Sequence, residues 1–184
     1  MTDSSGSSTP TLRQVVLDCE DARPLAEFYR QLLGFRYRPG EEPPADGTPD
    51  TKGEDWLVLC GATGSPRLAF QQVPSLPEPT WPDGPRPQML HLDTTVPTVG
   101  ELHIQHERAL ALGARLLLDR SDDEAEPAFV YADPAGHPFL HLRRRLTPFF
   151  GAARASRLES AAVVAARRGK NASARSLGIA RSAR

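Results

Sequence analysis

Two side chains in the middle of the chain, those of His91 and Asp93, have the types and spacing for proton transfer. They lie two positions apart in a segment whose apolar centre predicts a strand over 88–95. Residues two apart on a strand share a face, so the imidazole and the carboxylate are expected to lie together. An imidazole oriented by a carboxylate is suited to general acid–base catalysis. The pair can instead line a ligand pocket, or be a buried histidine hydrogen-bonded to Asp93; pocket lining is preferred because no third partner is evident.

Other catalytic patterns are missing from the sequence. There is no G-x-S-x-G nucleophile elbow. The segment from Gly61 to Gly64 lacks the Lys-Ser/Thr ending of a phosphate-binding loop, so it predicts a plain turn. Cys19 and Cys60 are far apart and outside C-x-x-C spacing, which favours reduced buried thiols over a disulfide or a thiolate metal site.

The elements that must position these residues occur twice in the chain. Each set begins with a strand, continues with a helix and closes with three strands. Asp21 caps the first predicted helix and Gly34 ends it, whereas Thr98 and Glu101 form a capping box for the second, which Gly113 ends. The predicted strands cover residues 11–19, 35–38, 56–60, 67–73, 88–95, 114–118, 128–132 and 138–143.

The repeat predicts the fold class. Gln14 and His91 fall at matching places, 77 positions apart, and Gly34 and Gly113 are 79 positions apart. We therefore expect an α+β fold of two tandem βαβββ modules that form a curved sheet cup, with the helices on the outer face. The predicted boundaries are a disordered leader at 1–10, a domain at 11–145 (module one 11–73, Pro-rich linker 74–87, module two 88–145) and a basic Ala/Arg/Ser-rich tail at 146–184, disordered or marginally helical.

Four segments of the chain, in this order, resemble the vicinal-oxygen-chelate superfamily of glyoxalases, bleomycin-resistance proteins and dioxygenases. They are RQVVLDCEDARPLAEFYRQLLGF, WPDGPRPQMLHLD, ALALGARLL and DPAGHPFLHL. Within the superfamily the chain is most similar to the glyoxalase-like domains common in actinobacteria. The resemblance covers about residues 11–143. It implies the cup-shaped fold, but superfamily members include lyases, isomerases, dioxygenases, thiol transferases and drug-sequestering proteins, so the fold alone assigns no activity.

The resemblance also implies where a divalent metal would bind. Metal-dependent members use one side chain from the first strand and one from the last strand of each module. The first-strand positions match Gln14 and His91, whose amide oxygen and imidazole nitrogen are plausible ligands. The last-strand position of the second module, where glutamate is expected, is Leu140, and His141 beside it should face the other way. In the first module the register of the last strand is ambiguous, and Gln71 and Gln72 are the two candidates for a ligand. The metal set is incomplete, and no bound cofactor is the preferred expectation.

Several further residues are candidates for lining the cup. Asp18 shares the face of Gln14 on the predicted strand and is placed near the rim. Trp56 and Phe70 can line an apolar cavity, although such residues are more often part of the core. Leu140 is placed on the ligand-facing side of the last strand. The expected ligand-binding set is therefore Gln14, Asp18, Trp56, Phe70 and Leu140.

Composition and charge narrow the protein class. The chain of 184 residues is 39% hydrophobic and 24% charged, which is typical of a soluble domain, and no apolar run approaches the length of a membrane span. Its start lacks the apolar region of a secretory signal, so the cytoplasm is the expected compartment. The net charge of −1 combines +7 after Phe149 with −8 before it. Nucleic acid is not an expected partner, because the basic tail lacks aromatic residues that stack on bases beyond Phe149 and Phe150.

Four functions remain open from the sequence. The first is binding of a small molecule, such as an antibiotic or a metabolite, in the cup without metal. The second is a divalent-metal-dependent lyase, isomerase or dioxygenase that uses Gln14 and His91. The third is a metal-free enzyme with His91 and Asp93 as its acid–base pair, and the fourth is an interaction module that acts through the tail. A homodimer is expected from the resemblance. The first function is preferred because Leu140 replaces a ligand, and whether the chain is an enzyme is left open.

Overall fold

Two βαβββ modules follow one another in the computed structural model, which describes residues 9–144. The first module consists of β1 (Val15–Cys19), α1 (Ala22–Leu33), β2 (Arg36–Tyr37), β3 (Trp56–Cys60) and β4 (Pro66–Gln72). The second consists of β5 (Leu92–Val96), α2 (Val99–Ala111), β6 (Arg115–Arg120), β7 (Ala128–Ala132) and β8 (Pro138–Arg143). Most of the predicted leader and all of the predicted tail at 146–184 lie outside the described residues.

The two sheets have the same strand order. The first has the order β1-β4-β3-β2 and the second β5-β8-β7-β6. In each sheet the first and last strands of the module pair in parallel, and the remaining pairs are antiparallel. The prediction of an α+β fold with two tandem modules is confirmed.

Both helices begin and end where their capping residues predict. The carboxylate of Asp21 accepts a hydrogen bond from the backbone N–H of Arg23, and Gly34 ends α1 with a φ of 67°, a conformation that glycine adopts without strain. Thr98 caps α2 by accepting from the backbone N–H of Glu101. The limits of both helices thus agree with the capping residues read from the sequence.

Strand limits agree less uniformly with the sequence. β3, β7 and β8 have the predicted limits, but β1 and β5 start four residues later than predicted, at Val15 and Leu92. The turn between β7 and β8 is as predicted: the backbone carbonyl of Asp133 accepts from the N–H of Gly136 at 2.9 Å, three residues on.

One apolar core joins the modules under the helices. α1 contributes Phe28 and Tyr29, whose rings contact Phe139 of the second sheet at centroid distances of 5.7 and 6.2 Å. The Tyr29 hydroxyl donates to the buried carboxylate of Asp133 at 2.8 Å, across 104 positions of sequence. α1 therefore packs against both sheets and holds the two modules in one body.

Candidate functional site

The face of the first sheet opposite the helices is a mixed polar and apolar surface. Residues directly opposite one another on paired strands share a face, so Asp18, Gln71 and Trp56 form one row across β1, β4 and β3. The next row is Val16, Ala69 and Val58. Trp56 packs on the buried cluster of Val58, Cys60 and Ala69, while Asp18 and Gln71 are exposed. We call this side the concave face, and the opposite side of each sheet the helix face.

Gln14 precedes β1, in phase with Val16 and Asp18. Its side chain is half-buried, and its Oε1 atom is shielded from solvent without a hydrogen-bond partner among the described residues. A buried acceptor without a donor costs free energy, about 1–3 kcal/mol.

The second sheet contributes His91 and Asp93 to its concave face. The Nε2 atom of His91 lies 3.3 Å from a carboxylate oxygen of Asp93, and the two side chains are 39% and 48% exposed. The expected proximity of this pair is confirmed. Across the same sheet, Asp93 lies in one row with Leu140, Val130 and Leu118 on β8, β7 and β6. Leu140 is buried, so the polar pair lies at the rim of an apolar floor.

The two modules place equivalent residues where the resemblance implies the last-strand metal ligands. Leu140 lies opposite Asp93, two positions after His91, and Ala69 lies opposite Val16, two positions after Gln14. Neither the Leu140 nor the Ala69 side chain has an oxygen, nitrogen or sulfur atom that can ligate a metal ion. No group of three or more His, Cys, Asp or Glu side chains within residues 9–144 is arranged to hold a metal ion. The described residues therefore do not fit the four-ligand metal centre.

His141, the strand neighbour of Leu140 and the replacement ligand considered above, faces the helices. Its Nδ1 atom is hydrogen-bonded to the Thr94 hydroxyl, and its ring contacts Tyr131 and Phe139 in the core. Burial, with smaller electrostatic contributions from His106 and Arg108, lowers the pKa of His141 to about 4. Strand alternation was expected to turn this residue away from Leu140, and it does so.

The structure corrects the predicted position of Phe70. It was expected to line the cup, but it lies on the helix face of β4, fully buried, with its ring stacked on Tyr29 at 5.8 Å. The run Leu68-Ala69-Phe70 is apolar throughout because β4 is buried on both faces, so alternation could not reveal its register. The neighbouring uncertainty between Gln71 and Gln72 resolves in the same way: Gln71 shares the concave row with Asp18, and Gln72 does not.

Sequence reasoning missed three apolar residues of the concave face. It also did not predict the raised pKa of the Cys19 thiol. Val58, Cys60 and Ala69 form the apolar wall beside Trp56. Alternation from Trp56 along β3 would have identified the first two.

Cys19 lies on the helix face, where burial, with smaller contributions from Asp133, Asp21 and Asp18, raises the pKa of its thiol to about 12. The Cys19 thiol is therefore protonated and is not a nucleophile at neutral pH.

A protein-family model described as "Glyoxalase-like domain" matches residues 14–141. The chain belongs to this family. The match starts at Gln14 and ends at His141, so it spans both modules and every residue of the concave face described above. A search of curated proteins found no match.

Solved structures share the fold of this glyoxalase-like domain at low sequence identity. A glyoxalase/bleomycin resistance protein/dioxygenase family enzyme from Burkholderia phytofirmans PsJN aligns with a TM-score of 0.52 and 17% identity, covering 73% of this chain and 98% of that one. The fosfomycin resistance protein FosX from Listeria monocytogenes aligns with a TM-score of 0.52 and 15% identity, over 76% and 97%. A glyoxalase/bleomycin resistance protein/dioxygenase from Nocardioides aligns with a TM-score of 0.50 and 18% identity, over 82% and 93%. These likenesses support the superfamily fold.

Neither described helix has the length and apolar character to span a bilayer within residues 9–144.

Proposed function

We propose that this glyoxalase-like domain binds a small organic molecule on its concave face and does so without a resident divalent metal. The observation that carries the proposal is the occupation of both last-strand positions, by Ala69 and Leu140, with side chains that have no donor atom. Two protein ligands, Gln14 and His91, hold a divalent ion weakly in comparison with the three or four found in metalloprotein sites.

The lining supports a ligand with an apolar body and hydrogen-bond donors. Trp56 offers a half-buried aromatic surface beside Val58. The exposed carboxylate of Asp93 on the second sheet accepts hydrogen bonds. An apolar surface with a few fixed polar groups is the usual composition of a small-molecule site. The homodimer, the cytoplasmic location and the actinobacterial subgroup stay predictions.

Elemental analysis tests the metal part of the proposal. Full-length protein purified without a histidine tag is incubated with Mn²⁺, Ni²⁺ or Zn²⁺, desalted and measured. We expect well under one equivalent per chain, because Ala69 and Leu140 leave two of the four ligand positions without a ligating atom. Retention of about one equivalent that disappears in His91→Ala, but not in the exposed control His103→Ala, would instead establish the metal-dependent alternative.

Binding of 8-anilinonaphthalene-1-sulfonate tests the ligand surface. The dye should bind with enhanced fluorescence, and Trp56→Ala should weaken its binding about five-fold, since an aromatic contact of this kind is worth about 1 kcal/mol. Ile104→Ala is the matched control, because Ile104 is 60% exposed on the other side of the fold. Equal affinity of the wild type and Trp56→Ala would overturn the proposed position of the ligand.

A further inference from the structure

The row of Asp18, Gln71 and Trp56 presents three side chains to the concave face that have no partner within residues 9–144. The carboxylate of Asp18 and the side-chain amide of Gln71 are exposed, and neither forms a hydrogen bond or an ion pair there. Trp56 is half-buried, and no arginine of the described chain lies over its ring. An open carboxylate and an open indole ring in one row are both groups that attract a positive charge.

The spacing of the strands lets a single cation reach both ends of this row. Adjacent strands lie about 4.8 Å apart, so Asp18 on β1 and Trp56 on β3 are separated by about 10 Å across β4. A cation midway is about 5 Å from each, within the roughly 6 Å over which an aromatic face attracts a cation. The amide oxygen of Gln71 lies between them and can accept a hydrogen bond from an ammonium group.

The strand segments that carry this row are acidic. Residues 15–20, 54–60 and 68–73 contain four carboxylates and no Lys, Arg or His. The two arginines of the first sheet, Arg36 and Arg67, lie at the far end of β3, about 13 Å along the strand from this row. A surface with charges of one sign raises the local concentration of the opposite ion. The four carboxylates are those of Asp18, Glu20, Glu54 and Asp55.

We propose that the ligand of the concave face is an organic cation. Its ammonium or guanidinium group lies between the ring of Trp56 and the carboxylate of Asp18. Its apolar body packs on Val16, which is 39% exposed in the next row of the same face. The inference rests on the proposed function and names the chemical class of the ligand for the same surface.

Benzylammonium, benzyl alcohol and benzoate are suitable probes, because they share a phenyl ring and differ chiefly in charge. Each is titrated into full-length ¹⁵N-labelled protein at neutral pH, and the indole N–H resonance of Trp56 is followed by NMR. Trp81 is the only other tryptophan, so Trp56→Phe assigns the resonance. Benzylammonium should bind about ten-fold more tightly than benzyl alcohol, the usual joint worth of an exposed ion pair and an exposed cation–π contact. Benzoate should bind most weakly.

Two variants with the same change in net charge test the position of the cation. Asp18→Asn keeps the size of the side chain but removes its charge, so it should weaken benzylammonium about three-fold and leave benzyl alcohol unchanged. It should also tighten the binding of 8-anilinonaphthalene-1-sulfonate, because the sulfonate is an anion. Asp122→Asn is the matched control: Asp122 is exposed in the loop after β6, and its replacement should alter none of these affinities.

The outcomes separate this inference from the proposed function. The inference is overturned if benzyl alcohol or benzoate binds as tightly as benzylammonium, or if Asp18→Asn and Asp122→Asn bind benzylammonium equally. Dye binding that still depends on Trp56 would then keep the proposed function and remove only the charge of its ligand. If neither the dye nor any of the three probes shifts the Trp56 resonance, both are overturned.

Discussion

The imidazole of His141 couples the stability of the fold to pH. Its pKa is about 4 in the folded chain, against 6.5 for an ordinary histidine, because burial disfavours the charged ring. Between these values the unfolded chain binds a proton and the folded chain does not, so stability rises with pH across this window. The contribution is fully present above pH 6.5 and is lost as the pH falls towards 4.

The size of this effect can be measured by urea unfolding at several pH values. Each pH unit inside the window corresponds to about 1.4 kcal/mol, so at pH 5 the wild type should have lost about 2 kcal/mol through this residue alone. His141→Leu should lack this part of the pH dependence, since nothing is left to protonate at the position. The exposed control His103→Ala should keep it. Identical slopes in wild type and His141→Leu would show that His141 is not buried in the neutral form.

Residue identity also explains which parts of the site could be predicted from the sequence. His91 and Asp93 are two positions apart, and their side chains lie 3.3 Å from each other although His91 precedes β5. Leu140 and His141 were separated correctly by strand alternation. Phe70 was placed on the wrong face because its neighbours are apolar on both sides. The burial of Oε1 of Gln14 and Nε2 of His141 without hydrogen-bond partners among the described residues depends on tertiary surroundings, which no local pattern encodes.

Among the elements, α1 is the one that unites the modules. Its Tyr29 reaches the turn between β7 and β8, where the carboxylate of Asp133 also accepts from the backbone N–H groups of Ala135 and His137. The helix limits were predictable from Asp21 and Gly34, which act within a few residues. The partner of Tyr29 was not, because Asp133 lies 104 positions away and nothing in the sequence links the two.

Removing the Tyr29 hydroxyl should weaken this connection. In Tyr29→Phe the buried carboxylate of Asp133 loses a donor while the ring packing is kept, so we expect a loss of about 1–3 kcal/mol in the free energy of unfolding, measured in urea. Tyr37→Phe is the matched control: its hydroxyl donates to Glu27, whose side chain is 32% exposed, so water can replace the lost donor. A smaller loss in Tyr29→Phe than in Tyr37→Phe would contradict the assigned role.

The molecule as a whole divides into an acidic body and a basic extension. Residues 145–184 contain nine basic side chains and one acidic side chain, so their net charge is +8. The preceding residues have a net charge of −9, which gives the total of −1. The described fold closes before this extension: the backbone N–H of Arg144 donates to the carbonyl of Val96 and completes the pairing of β8 with β5. The sequence beyond is interrupted by Ser, Gly and Asn and has no strong apolar stripe.

Deleting residues 145–184 should therefore change the electrostatics of the protein without changing its stability. We expect the truncated chain to unfold at the same urea concentration as the full chain and to bind an anion-exchange resin more tightly, because its net charge falls from −1 to −9. The concave face should be untouched, so dye binding at Trp56 should persist. A clear drop in the unfolding midpoint would mean that the extension packs on the body. An unchanged midpoint, with loss of binding to a nucleic acid or an anionic vesicle, would instead assign the extension a partner of its own.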